Sequence, residues 1–469
     1  MSVKFLFFAF LCFFFFFETK AQEIFEKKFA PQLLQEDFAL LVGALEEAHP
    51  NLFLYQSQED WKEKTDYLQE QLDEPLSEVA FYNLLKPLIA QIRDGNTSLM
   101  LSQYADLSMK EYIKFFPIDV YFDQEKVFVA YDYSEAQLAK GTEILEINGL
   151  KINELVKKMI ERSSADGFIK TSSFWRLEQD LFSQELIFLM GAKENYQIAY
   201  RNKDRIERIQ ISAISYRKKT DLQQKNPPII RTDMPFEFKI MDSVAYLRYD
   251  VLGDFFNVKE KFIKFTKKSF EEIQQKNIGK LILDLRNNGG GEDNYGKMLY
   301  AHLTDTTFGY YKKQSITQEK YSFAKYTDDR MLNRSVSALR KKNEEDGTFR
   351  VSLDGLDKPQ RPEREAFSGK IVVLINGGTF GTANEVVAVL KHNKRAIFVG
   401  QETGGASIFS SGLMPYLVLP NTALQLSLPL VKYEMEVEGV EKGRGVMPDF
   451  EVKNHEKDLF LEKALQILD

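Results

Sequence analysis

Two glycine-rich turns carry the residues best suited to chemistry. The first closes residues 280–291, Lys-Leu-Ile-Leu-Asp-Leu-Arg-Asn-Asn-Gly-Gly-Gly. Leu281, Ile282 and Leu283 form an apolar run too short for a helix and suited to a buried strand. Asp284 and Arg286 bring charge to its carboxyl end. Without Cβ atoms, Gly289, Gly290 and Gly291 can present backbone N–H groups closely to a ligand. The second turn comes roughly ninety residues on. Residues 371–375 form another buried-strand run, Asn376-Gly377-Gly378 a turn, and Thr382-Ala-Asn-Glu385 opens an apolar helix through Leu390. A threonine hydroxyl can attack a carbonyl, weakly unless a base adjoins it. Gly290 and Gly291 beside a helix N-terminus are candidate backbone donors to the oxyanion formed by such an attack. Two strand–turn–helix units of this form can build one site at the carboxyl ends of their strands.

Each of these residues also has a structural explanation. Thr382 with Glu385 three residues later makes a capping box. Asp284 and Arg286 can pair with each other or with neighbouring loops. Asn96 before Thr97 is ordinary turn chemistry. The four histidines, His49, His302, His392 and His455, read as core or surface residues rather than bases.

The surrounding chain divides by period. Residues 22–108 form a helical N-terminal domain. Leu33, Leu34, Phe38, Leu41 and Leu45 share one face, and Pro50 ends that helix. A second helix spans about 58–72. A third starts near Ser77 and stops at Asp94-Gly95-Asn96-Thr97. Residues 112–215 change to strand period, with runs at 116–122, 126–131, 141–149, 196–200 and 206–211. Residues 216–235 read as a linker, polar through Asn226 and then Pro227-Pro228. Residues 236–469 form the last domain, with a strand at 243–249 and a helix at 261–275. Within it, residues 312–365 are charged and aperiodic, and read as a lid, an insertion or solvated decoration.

Composition narrows the class. The 469 residues are 44% hydrophobic and 28% charged, ordinary for a globular chain. A net charge of −7 leaves no basic excess to neutralise phosphates, so nucleic acid is not an expected partner. Lys4 precedes thirteen apolar residues, 5–17, and Thr19-Lys20-Ala21 offers a cleavage site. Residues 1–21 read as a secretory signal, since thirteen residues fall short of the roughly 20 that span a bilayer. Export to the periplasm, the cell surface or the medium follows, with no membrane span after cleavage. The lone Cys12 lies in the signal, so the mature chain has no thiol chemistry and no cysteine–metal site. No cofactor or metal is expected.

Several motifs together resemble one family. Asp284-Leu-Arg-Asn-Asn-Gly-Gly-Gly291 resembles the D-L-R-x-N-x-G-G signature of the tail-specific (C-terminal-processing) serine proteases. Gly400-Gln-Glu-Thr-Gly-Gly405 resembles their strand end after the nucleophile helix, and Gly445-Val-Met-Pro-Asp449 their closing element. His49-Pro50 and Asp94-Gly-Asn-Thr97 resemble the helical region of the tricorn-core-like branch, where the second motif reads D-G-H-T. Gly141 to Gly149 resembles the signature of the embedded PDZ-like domain. The resemblance implies a mixed α/β fold: a ClpP/crotonase-like protease core, a PDZ-like β-rich domain and a helical N-terminal region. It also implies a polypeptide substrate or ligand.

The same resemblance exposes departures. No serine lies between Asn376 and Glu385. Aligned from the glycine turn, Gly381 takes the nucleophile position; aligned from Glu385, Thr382 takes it. Asn96 stands at the base position and cannot accept a proton at neutral pH. Gly404, Gly405 and Ala406 stand where the other branch carries its lysine. The acid partner falls near Arg444. Two readings stay open: an exported peptidase of weak or no activity, with Thr382 as an unusual nucleophile, or a peptide-binding pseudoenzyme.

Overall fold

The computed structural model describes residues 26–123, 125–225, 235–254, 261–452 and 458–469. The signal segment and Pro227-Pro228 lie outside the described residues. Among them, no helix is long and apolar enough to cross a membrane.

The core is a six-stranded sheet in the order Phe236–Met241, Val244–Tyr249, Lys280–Asp284, Lys370–Ile375, Ile397–Gly400, Phe450–Glu451. The first two strands form an antiparallel hairpin; all other neighbours are parallel. A parallel sheet is covered on both faces, so its strands are apolar on both sides. Leu281 and Leu283 enter the larger core with Ile371 and Val373. Ile282 points the other way, into a smaller cluster with Val372, Leu374, Val399 and Phe460 of the helix Leu459–Leu468. That alternation sets the register Leu281↔Ile371 and Ile282↔Val372, which brings the two glycine turns out side by side.

The N-terminal helices follow their apolar spacing. Pro31–Ala48 buries Leu34, Phe38, Leu41 and Leu45. Gln58–Glu70 and Glu78–Gln91 begin at Ser57 and Ser77, whose hydroxyls accept the N–H groups of Asp60 and Ala80. Several contacts fasten this region to the core, among them one at Asp37 and one at a strand pair. Asp37, fully buried, accepts the N–H groups of Asn421 and Thr422 and the Thr422 hydroxyl at 2.6 Å. Strand Ser98–Met100 pairs with Gln425–Ser427. The turn at Asp94–Thr97 immediately precedes that strand, so the core itself positions Asn96.

The β-rich region forms a sheet ordered Arg205–Ser212, Asn195–Asn202, Glu143–Ile147, Lys126–Asp132, Ile118–Asp123, with its own apolar cluster. Its helices Lys170–Arg176 and Phe182–Met190 have no counterpart in the sequence reading.

Two expectations are corrected. The polar stretch read as a linker is helical over Tyr216–Lys225, because Lys219 is buried and pairs with Asp119 at 3.0 Å. Residues 312–365 are neither a lid nor solvated decoration. Strand Tyr311–Ile316 pairs with Val431–Met435, and Ile316, Tyr321, Phe323, Leu332, Val336, Val351 and Leu356 all enter the main core.

Candidate functional site

The first glycine turn is held by side chains of its own motif. Asp284 accepts the Arg286 backbone N–H and guanidinium, and the Tyr246 hydroxyl at 2.8 Å. Arg286 also reaches Asp458 at 2.8 Å. Burial works against the Arg286 charge, but Asp284 and Asp458 outweigh it and hold its pKa above the ordinary value. The pair is structural, as its spacing suggests. Asn288 Oδ1 accepts the Gly290 N–H at 2.9 Å, and Leu252 donates to the Gly290 carbonyl.

The second turn docks onto the first. Asn287 and Asn376 exchange two hydrogen bonds of 2.9 Å, and the Asn287 carbonyl oxygen of the side chain also accepts the Trp175 indole N–H. Thr379 donates to the Leu285 carbonyl, and Phe380 N–H to the Asn288 carbonyl. The approach is close enough to demand glycine. A Cβ at Gly290, where φ is +101°, would sit 2.8 Å from the Thr382 backbone nitrogen.

These contacts redraw the oxyanion candidates. The Gly290 N–H is committed to Asn288, so it is not a free donor. The Gly291 N–H has no partner among the described residues, and Gly291 is exposed. Of the two, only Gly291 has an N–H left for a ligand; Gly290 shapes the approach.

The helix Gly381–His392 starts with Phe380 as its N-cap and no side-chain cap. Gly381 is its first residue, at φ +53°, a conformation glycine adopts without strain. The capping-box reading therefore fails. The helix begins one residue before Thr382, which lies inside it, 4% exposed. Thr382 donates to the Gly291 carbonyl at 3.1 Å and lies 3.4 Å from Asp293 Oδ1. Glu385 turns inward and accepts the hydroxyls of Tyr311 (2.7 Å) and Ser410 (2.9 Å).

Asn96 lies at the edge of the same place. Its N–H donates to Asp94, and its amide to the Ser411 carbonyl at 2.9 Å. Ser411 in turn donates to Asp94. The turn is bolted by Asp166, which accepts the N–H groups of Gly95 (2.6 Å) and Ala406 (2.9 Å). A Cβ on Gly95 would strike the Phe380 ring at 2.8 Å, so the Asn96 turn packs directly on the residue before Gly381. His49 is close but occupied. Its Nε2 meets the Thr97 hydroxyl at 2.7 Å, Nδ1 accepts the Asn51 N–H, and burial lowers its pKa. Arg444, near the expected acid position, pairs with Glu402 at 2.8 Å.

Sequence reasoning missed the residues around Thr382 and Glu385. Asp293, Tyr310, Tyr311 and Tyr433 converge there from separate segments. Tyr311 and Tyr433 stack at 4.8 Å. Burial, chiefly, pushes Asp293 up to about 6, while hydrogen bonds from Tyr433, Thr382 and Tyr311 oppose it. Burial and then the Asp293 charge push Glu385 up to about 8. Only the acid at the head of the helix Asp293–Ala301 carried a local signal.

Residues 243–452 match the model of Peptidase family S41. No curated protein matches the sequence. The chain is similar in structure to mature CPAF, with 16% identity, TM-score 0.62, and coverage of 94% of this chain and 96% of that one. Mature CPAF complexed with lactacystin gives 16% identity, TM-score 0.63, and 94% and 97% coverage. The photosystem II D1 C-terminal processing protease gives 16% identity, TM-score 0.45, and 93% and 97% coverage. At these identities the likeness is one of fold.

Proposed function

We propose, for a chain that belongs through residues 243–452 to peptidase family S41, that it binds polypeptide chains without serine-type hydrolysis. The observation that carries this reading is Gly381. It heads the helix of the second turn, at φ +53°, against the Gly289–Gly290 backbone and beside the Asn96 turn. This is where the first alignment puts the nucleophile, and no side chain is there. Asn96, at the base position, has no basic nitrogen. Without nucleophile and base, oxyanion donors alone fall several orders of magnitude short of full activity. What survives is a backbone cradle at Gly291 and two glycine turns held rigidly together, which suits an extended chain. The protein works outside the cytoplasm, carried there by the signal in residues 1–21.

One contact favours a second reading, a peptidase with Thr382 as nucleophile and Asp293 as base: the 3.4 Å approach of their oxygens. Against it, Thr382 is buried and its hydroxyl already donates to Gly291.

Casein hydrolysis by the purified protein separates the two. The expected result is background turnover in wild type and no change in Thr382→Ala, with casein-derived peptides binding both proteins alike. Wild-type turnover that disappears in Thr382→Ala establishes the threonine enzyme and ends the binding-only reading.

A further inference from the structure

A five-stranded sheet flanks the site, in the order Lys341–Asn343, Phe349–Val351, Tyr311–Ile316, Val431–Met435, Phe409–Gly412. Its two edges differ. An open strand edge invites pairing with another chain, and proteins ordinarily guard it with charge, above all lysine, or with proline. The first edge follows that rule with Lys341 and Lys342. The other, Phe409-Ser410-Ser411-Gly412, carries neither charge nor proline. This unguarded edge is the one that meets the site. Ser410 donates to Glu385, and Ser411 to Asp94.

Register decides which backbone groups the edge leaves open. Phe409–Gly412 runs antiparallel to Val431–Met435, with Ser410 opposite Tyr433 and Ser411 opposite Lys432. Met435 N–H donates to the Ile408 carbonyl at 2.9 Å. Hydrogen-bonded pairs alternate in an antiparallel ladder, so Ser410 and Gly412 face Val431–Met435, while Phe409 and Ser411 turn their backbone groups away. The Asn96 amide agrees with this, since it reaches the outward Ser411 carbonyl at 2.9 Å. The Phe409 N–H, the Phe409 carbonyl and the Ser411 N–H have no partner among the described residues. Phe409 is half-buried, and Ser411 is 6% exposed. Backbone groups of buried residues are rarely left unpaired. Donors and acceptors in line at strand spacing are matched by another extended backbone.

We propose that the edge Phe409–Gly412 takes an extended segment of the bound polypeptide as an added strand, paired through both backbone groups of Phe409 and the Ser411 N–H. This rests on the polypeptide-binding reading and gives it a docking surface. Affinity then comes from main-chain hydrogen bonds, which any sequence able to extend can supply.

The test titrates the purified protein with a casein-derived peptide and with copies of it methylated at one backbone nitrogen at a time. The copy that can no longer donate to the Phe409 carbonyl binds about ten-fold weaker, and the copies methylated at the adjacent amides, which point away, bind as before. Phe409→Pro deletes the outward N–H and binds the parent peptide about ten-fold weaker than Phe409→Ala, which keeps it. An edge strand tolerates proline where the N–H points outward. Urea unfolding checks that this variant is folded; if it is not, Ser411→Pro against Ser411→Ala takes its place. Peptide binding that no backbone methyl and no proline weakens overturns the added strand and leaves the polypeptide reading intact. Sensitivity to methylation with equal affinity in the proline and alanine variants puts the pairing elsewhere and overturns the proposal. Self-association lost in the proline variant alone, with peptide affinity unchanged, gives the edge to a second copy of the chain and also overturns it. No binding of any casein-derived peptide overturns both readings.

Discussion

Gly381→Ser combined with Asn96→His gives casein hydrolysis at least about a hundred-fold above the wild-type background, in line with what a nucleophile–base pair contributes. A serine at Gly381 is a tight fit that needs the Gly289 carbonyl to give by a few tenths of an ångström. A Cβ there meets the Gly289 carbonyl oxygen at 3.1 Å and nothing else closer than 3.7 Å. The φ of +53° costs a serine about 1–2 kcal/mol, a strain that a single half-buried residue can carry. At position 96 the amide now donates to the Ser411 carbonyl. A histidine keeps one ring N–H for that carbonyl and leaves the other nitrogen to accept a proton. The Asn96 turn will not drift, since Asp166 and Phe380 hold Gly95. Groups that act as a unit are strongly non-additive, so each single variant stays at background. A folded, inactive double variant would show that the two turns do not present positions 96 and 381 to one another. The case for a dismantled serine centre would then lose its footing.

The parts of this site that sequence revealed are those made by neighbours along the chain. The run Leu281-Ile282-Leu283 has to be a covered strand, and alternation assigns its faces. Gly289 to Gly291 announce a close approach, though not what approaches. Whether Gly290 or Gly291 has a free N–H depends on the Asn288 side chain turning back, which no pattern encodes. The stitch between Asn287 and Asn376 spans eighty-nine positions and looks like turn chemistry at each end. Thr382 and Glu385 mislead because they have the spacing of a capping box. The helix starts earlier only because Gly381 accepts a left-handed φ, and tertiary partners then claim both side chains. Residues 312–365 mislead for another reason. Their apolar residues are irregularly spaced, since short strands and loops feed them singly into the core. Lys219 looked solvated until its partner Asp119, a hundred residues away, was in place.

Glu385→Gln flattens the upper part of the stability–pH curve and stabilises the protein at pH 8 by about 2 kcal/mol, the scale expected when a buried, unpaired carboxylate charge is removed. The wild-type group is raised to about 8 by burial first and by Asp293 second. Since the folded state holds this proton more tightly than the unfolded chain, its contribution is full below the unfolded value of 4.5. It is lost as pH rises through about 8. Asp293, raised to about 6, adds a loss of the same sign at lower pH. Wild type therefore weakens from about pH 4 to pH 8, with the steps between 6 and 8 due to Glu385. A neutral glutamine keeps an oxygen for the Tyr311 hydroxyl and turns its amide to the Ser410 oxygen, and it carries no charge to bury. Urea unfolding at pH 5, 6, 7 and 8 measures the difference. The gap between variant and wild type should be near zero or slightly negative at pH 5 and open as pH rises. Curves that run parallel across the range would mean that Glu385 does not hold its proton in the folded protein. The electrostatic link between Glu385 and Asp293 would then be gone, and Asp293 would stand as an isolated carboxylate with an ordinary affinity for protons and cations.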